Sequence, residues 1–363
     1  VRFSHGLLFI GMKEKYICSA PFSNLEIQDR ENHLCCASWL LKPLPKLNSL
    51  EESWNSKEAN EIRESMLDGS FKYCDEVQCP YLNQLETLQK SKNTGPLTLK
   101  DNISSILAKK ISAYKNGTLK PERVHFGFDQ TCNLKCPSCR IGLIVANSRQ
   151  IKEIEATIEE IENTYSKDIK HFYITGSGDP FVSVAFRNFL RNFNPIKFPN
   201  LQTIHLHTNA TKWNKAMWES MPNIHPFVKT CEISIDAGTK DTYENKTRLG
   251  GKWDELIENL NFISTIPTLR NIALSFVTQD HNYKEMKIFY TLMLSIFGTK
   301  ATVFYRKITN WGTFEEEEFK DRQIWNKNHP LHQDFIIELN KTLPAKQTVD
   351  NFKEYLYKYK STI

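Results

Sequence analysis

The sequence predicts an α/β fold with a parallel sheet, its strand–helix units repeated six times and either closed into a partial barrel or left as an open doubly wound sheet. Three observations predict it. From about residue 120 to 310, short apolar runs alternate with amphipathic helical patterns. Polar residues follow those runs at the positions where parallel α/β sheets carry their sites. The first 120 residues read differently: they hold Cys18, Cys35, Cys36, Cys74 and Cys79 and turn-forming prolines from Pro21 to Pro80. A loop-rich region of this kind buries little apolar surface and needs a staple.

The expected strands are Val124–Phe128, His171–Ile174, Thr203–His207, Cys231–Ile235, Ile272–Val277 and Thr302–Tyr305. Between them, Ile151, Ile154, Ile158, Ile161 and Tyr165 recur every three to four residues. Trp253, Leu256, Ile257, Leu260 and Ile263 do the same, as do Met286, Phe289, Tyr290 and Met293. Such stripes are the core faces of helices. Parallel strands joined by right-handed crossovers follow from this alternation. Further helices are expected over Ser56–Leu67, Leu99–Tyr114, Leu331–Leu343 and Asn351–Tyr359, with a loop over Ser91–Pro96. The acidic run Glu315–Glu318 reads as a solvated helix start, and Asn310-Trp-Gly-Thr-Phe314 as a turn or a barrel-mouth segment.

Bulk properties narrow the classes. The 363 residues are 40% hydrophobic, enough for one large domain and a smaller one. No run approaches the ~18 apolar residues of a membrane span. Leu7-Leu-Phe-Ile10 is too short for a signal segment, and Met12 is an alternative start to Val1. A cytoplasmic location is expected, with no membrane partner. The net charge of +5 is spread over many lysines without a dense block, so no nucleic acid partner is expected. Nine cysteines, clustered at metal-ligand spacings, favour metal ligation over a disulfide framework.

The sharpest motif is Cys132-Asn-Leu-Lys-Cys136-Pro-Ser-Cys139, a C-x3-C-x2-C loop after the first expected barrel strand. Three thiolates can hold three irons of a cubic 4Fe–4S cluster and leave the fourth open to a ligand. They can equally hold zinc with one outside ligand. Further along lie Thr175-Gly-Ser-Gly-Asp-Pro180, His207-Thr-Asn-Ala210 and Ser234-Ile-Asp-Ala237. Thr242-Tyr-Glu244, Arg248-Leu-Gly-Gly251, Asn259-Leu-Asn-Phe262 and Phe276-Val-Thr with Asn282-Tyr-Lys-Glu285 follow in turn.

Together and in this order, these segments resemble the radical SAM superfamily. The resemblance implies a partial (β/α)6 TIM-like barrel over 121–312, a 4Fe–4S cluster on Cys132, Cys136 and Cys139, and S-adenosylmethionine on its open iron. Ser177, Gly178 and Asp179 then hold the methionine amino group through their backbone. Asn209, Ser234 and Asp236 are candidates for polar contacts to the cofactor, and Arg248 for balancing its carboxylate. Residue chemistry alone also allows plainer roles: Ser234 and Asp236 on one strand face, Asn209 as a turn residue, Arg248 in an ion pair. The implied reaction is reductive cleavage to a 5′-deoxyadenosyl radical, which removes a hydrogen atom from a peptide, protein or small-molecule substrate. A reductant such as flavodoxin or ferredoxin is the implied partner.

The segment from Cys18-Ser-Ala-Pro-Phe to Cys35-Cys36, with Trp54-Asn-Ser, Glu61–Gly69 and Cys74-x4-Cys79-Pro80, resembles a SPASM or twitch domain. The resemblance implies a second, auxiliary 4Fe–4S cluster on Cys18, Cys35, Cys74 and Cys79, with Cys36 as the alternative to Cys35. The same four thiolates also suit a structural zinc. Cys231, inside an apolar strand, reads as a buried core thiol. The organisation expected is an auxiliary domain over 1–96, a helical linker over 97–120, the barrel core over 121–312 and a helical extension over 313–363. Outside this class stands a non-catalytic zinc or iron–sulfur protein.

Overall fold

A computed structural model describes residues 13–76, 78–83, 85, 95–343, 348–350 and 352. The chain divides into two compact units. The described residues up to Asp129, with Glu153–Tyr173 and Pro195–Gln202, form the first; Gln130–Lys152, Ile174–Asn194 and the described residues from Thr203 onward form the second.

In the first unit, β1 (Tyr16–Cys18) pairs antiparallel with β4 (Leu97–Leu99). A separate sheet has the order β3-β2-β5-β6, from β2 (Asn24–Gln28), β3 (Asn32–His33), β5 (Arg123–Gly127) and β6 (His171–Ile174). Strand β2 runs parallel to β5, with Asn24 opposite Arg123 and Gln28 opposite Gly127. The N-terminal segment therefore extends the sheet from which the cysteine loop departs, as well as carrying cysteines of its own. The 97–120 stretch opens on strand β4, and its helix begins only at Ser105.

The helices of this unit start where small hydroxyls can cap them. Ser49, Ser56 and Ser104 accept from the backbone N–H three residues on, opening α1 (Leu50–Trp54), α2 (Lys57–Asp68) and, beyond α3 (Pro80–Asn83), α4 (Ser105–Lys115). Gly69, at φ 84°, ends α2 in the left-handed conformation that glycine adopts without penalty. In α5 (Ser148–Tyr165), Ile154, Ile158, Ile161 and Tyr165 are buried as their spacing predicts. Phe126 meets Phe172 at 5.3 Å and Phe172 meets Phe198 at 5.2 Å, so the aromatic core sits on one face of β5 and β6.

The second unit is a parallel sheet in the order β7-β8-β9-β10-β11: Thr203–Thr208, Val228–Ser234, Asn271–Thr278, Ala301–Lys307 and Thr348–Asp350. Each of the four longer strands overlaps the apolar run that announced it and extends it by one to three residues at an end. Its helices are α6 (Val184–Arg191), α7 (Lys215–Glu219), α8 (Lys240–Thr242), α9 (Trp253–Ser264), α10 (Met286–Phe297), α11 (Glu316–Arg322) and α12 (His332–Thr342). Leu256, Leu260 and Ile263, and Met286, Phe289 and Met293, are buried as expected. Asn351–Tyr359, apart from Phe352, and most of Ser91–Pro96 lie outside the described residues. Among the described residues no helix is long and apolar enough to cross a membrane.

Candidate functional site

The cysteine loop leaves the end of β5 and is held at several points. Cys132 N–H donates to Ile144 O at 3.0 Å, Lys135 N–H to Leu249 O at 3.1 Å, and Asp179 N–H to Thr131 O at 2.9 Å. Cys139 and Arg140 N–H both return to Cys136 O, at 2.9 and 3.0 Å, which curls the loop between its second and third cysteines. Cys132 and Cys136 are buried and Cys139 is exposed; none of the nine cysteines is in a disulfide. Burial pushes the Cys132 thiol up to about 11, with Asp179 adding to the rise. Burial also raises Cys136, against the pull of the Arg248 charge.

Three consecutive strands of the chain are followed by a non-glycine residue with positive φ: Thr175 (62°) after β6, Ala210 (60°) after β7 and Asp236 (60°) after β8. A β-branched threonine there is a backbone outlier. Such strain persists only where surrounding contacts over-determine it, and it clusters at sites. The contacts are visible at each position. Thr175 Oγ1 accepts from Ser177 N at 3.2 Å and Gly178 N at 3.0 Å. Ala210 is enclosed by Asn259, whose amide donates to its carbonyl at 2.9 Å. Asp236 accepts from Val277 N at 2.8 Å on Oδ1 and from Asn282 on its carbonyl at 3.0 Å.

The expected site residues divide. Asp179 is buried, and its carboxylate accepts from Thr208 Oγ1 (2.7 Å), Asn209 N (2.8 Å) and Phe181 N (3.0 Å), so its side chain fixes the turns after β6 and β7. Burial raises its carboxyl against these bonds. Ser177 and Gly178 lie in the same turn, where the Ser177 carbonyl accepts from Arg140 at 2.8 Å. Asn209 is both turn residue and donor: its Oδ1 accepts from Thr211 N at 2.9 Å, and its amide donates to Asn133 at 3.1 Å and lies 3.4 Å from Cys132 Sγ. Ser234 sits elsewhere, with its hydroxyl 2.9 Å from His207 Nε2. That face also carries His205, Thr230 and Glu232, with Arg306 3.1 Å from Glu232.

Arg248 reaches the loop by a constrained route. The Glu285 carboxylate accepts from Gly238 N (2.7 Å), Thr239 N (3.1 Å) and the hydroxyls of Thr239 (2.8 Å) and Thr242 (2.6 Å), fixing the turn before α8. A five-residue π-helical turn, Tyr243–Thr247, follows; such turns recur at functional sites. Gly251 lets the chain pass the Tyr243 ring, where a Cβ would stand 2.7 Å from a ring carbon. Arg248 then pairs with Asp236 at 2.6 Å and points Nη1 at Cys136 Sγ, 3.6 Å away. Burial works against its charge, but Asp236 and Cys136 hold it above the ordinary arginine range. Its Nε–H is buried and has no acceptor among the described groups.

Among residues that the sequence reading missed, Arg140 bonds Gln130 O at 2.9 Å and lies 3.4 Å from Cys139 Sγ. Only its place beside a candidate ligand could have marked it. A cavity of about 230 Å³, lined by Cys132, Leu143, Val145 and Val182, adjoins the loop.

The N-terminal cysteines gather within the first unit. Cys18 ends β1, Cys35 and Cys36 follow β3, Cys74 bridges to Leu40, and Cys79 precedes α3. Burial pushes Cys18 and Cys74 up to about 12, raises Cys35 well above the ordinary thiol range, and raises Cys79. Their charges add to this: Cys35 feels Cys18, Cys36 and Cys79, and Cys74 feels Cys18 and Cys79. Cys231 is buried in β8, where burial raises its thiol. Among the described residues no three His, Cys, Asp or Glu side chains converge as they would round a single metal ion. A cubic cluster asks for a different arrangement, with each thiolate on its own iron.

No family model and no curated protein matches this chain. Several solved structures are similar. TYW1 with a lysine-pyruvate adduct bound shares 15% identity over 61% of this chain and 72% of its own, with a TM-score of 0.37. Streptococcus suis SuiB bound to S-adenosylmethionine shares 12% over 95% of this chain and 69% of its own, with a TM-score of 0.41. Histidine-tagged anSMEcpe with bound AdoMet shares 14% over 60% of this chain and 57% of its own, also at 0.41. Similarities of this degree assign no function, which rests on the residues of the site.

Proposed function

We propose that this chain is a radical SAM enzyme acting on a peptide or protein side chain. One observation carries the reading: three thiols at C-x3-C-x2-C spacing, each met by a nitrogen donor, beside an arginine whose buried Nε–H has no acceptor among the described groups. The donor set fits a cluster with one open iron and a carboxylate-bearing ligand upon it. Cys132, Cys136 and Cys139 would hold the cluster, and Arg248, oriented by Asp236, would offer its Nε–H to the carboxylate. The backbone of the Ser177–Asp179 turn would meet that ligand's ammonium group. When bound, cluster and S-adenosylmethionine supply a 5′-deoxyadenosyl radical that takes a hydrogen atom from the substrate. The strained turns at Thr175, Ala210 and Asp236 preorganise these groups.

An auxiliary cluster on Cys18, Cys35, Cys74 and Cys79, in a SPASM- or twitch-like domain, completes the reading. Mutual charge effects among those thiols support this set, with Cys36 as the alternative to Cys35. The core would form a partial (β/α)6 barrel, with electrons arriving from flavodoxin or ferredoxin. A small polar substrate is the second reading. It is favoured by the half-buried face of His205, His207, Glu232, Ser234 and Arg306, which suits hydroxyl or amide groups.

Anaerobically purified protein should hold about eight irons per chain, by the stoichiometry of two such clusters. With dithionite and S-adenosylmethionine it should release 5′-deoxyadenosine, and Cys132→Ala should abolish that release. Zinc in place of iron, or no release from iron-loaded, reduced protein, would sink the proposal.

A further inference from the structure

Each thiol of the loop meets one side-chain nitrogen donor, and these three donors come from different segments. Asn209 Nδ2 lies 3.4 Å from Cys132 Sγ, Arg248 Nη1 3.6 Å from Cys136 Sγ, and Arg140 Nη2 3.4 Å from Cys139 Sγ. Two donors are guanidiniums, and they are not equivalent. Arg248 is paired with the Asp236 carboxylate at 2.6 Å, which offsets its charge at the loop. The other acceptors of Arg140 are uncharged: the carbonyls of Gln130 at 2.9 Å and Ser177 at 2.8 Å.

We infer that Arg140 is a positioning residue whose uncancelled charge sets the electron affinity of a cluster on Cys132, Cys136 and Cys139, whereas Arg248 adds a hydrogen bond with little net charge. This rests on the reading that the loop holds such a cluster. Reduction adds one electron, supplied here by dithionite, to a group already surrounded by thiolates. A fixed positive charge and hydrogen bonds to the sulfurs favour the reduced form, and burial strengthens both effects. No bond to Arg140 forms or breaks. Its two carbonyl contacts tie the end of the loop to Gln130 and to the turn at Ser177, so the charge is held in place.

The test uses full-length, iron-reconstituted protein and the variants Arg140→Gln, Arg140→Lys, Arg248→Gln and Asn209→Ala. Iron content is measured first. The midpoint potential is then read by an anaerobic dithionite titration of the electron paramagnetic resonance signal that changes when S-adenosylmethionine is added. R140Q should move the midpoint to more negative potential, R140K should restore most of the shift, and R248Q and N209A should each shift less than R140Q. An unchanged midpoint in R140Q, or a larger shift in R248Q, overturns the inference. So does loss of iron from R140Q, which would assign Arg140 to folding of the loop alone. A wild-type chain that takes up no iron on this loop fails at the metal analysis, which identifies failure of the parent reading before any potential is read.

Discussion

Single buried cations set local structure in both units. In the first, Arg63 is 1% exposed and faces no carboxylate among its contacts. It donates to Pro21 O at 3.1 Å and Trp54 O at 2.9 Å, and its guanidinium lies 4.3 Å from the centre of the Trp54 ring. Burial lowers its pKa to about 10, so desolvation opposes the charge. Two effects compete if it becomes Arg63→Met. Desolvation is relieved, but two buried carbonyls lose their donor at about 1–3 kcal/mol each. We expect the carbonyls to dominate, with a net loss of at least about 2 kcal/mol in urea unfolding. A neutral or more stable variant would show that desolvation governs the site. Neither Arg63 nor Arg140 was legible in the sequence, because a lone arginine carries no periodic signal. The cysteine loop stands out as a candidate site because ligand chemistry restricts such spacing.

At the scale of elements, strands read best where their partners are also strands of the same repeat. Thr203–Thr208 and Asn271–Thr278 extend the runs that predicted them by one or two residues. Strand β2 was missed because its pairing with β5 is remote in sequence and its five residues are framed by cysteines and a proline. The strained ends of β6, β7 and β8 were equally hidden: nothing in Thr175, Ala210 or Asp236 declares a positive φ. Ala210 tests whether that strain is held by its surroundings. Ala210→Gly should stay within about 1 kcal/mol of the parent. Relief of a left-handed penalty of about 1–2 kcal/mol offsets the lost methyl burial and the added chain entropy. Ala210→Val should cost roughly 2–4 kcal/mol, from backbone strain and overpacking together. Urea midpoints decide it, and a glycine variant less stable than the valine variant would refute the account.

For the whole molecule, the chain divides into two compact units. The first runs on through β5 and takes in most of α5 and β6. Composition marks where cysteines and prolines concentrate, but compactness depends on which strands pair, and β2 joins β5. The two thiol sets nonetheless fall in different units: Cys18, Cys35, Cys74 and Cys79 in the first, Cys132, Cys136 and Cys139 in the second. If each set holds its own cluster, a single substitution should empty one site and spare the other. Cys74→Ala and Cys136→Ala should therefore each lower iron from about eight to about four per chain. Their chemistry should differ. Cys74→Ala should still release 5′-deoxyadenosine with dithionite and S-adenosylmethionine, because the open cluster is intact. Cys136→Ala should release none. Equal loss of release in both variants would mean that the cysteines of the first unit support the reaction at the loop directly, and that the two sites are not chemically separate.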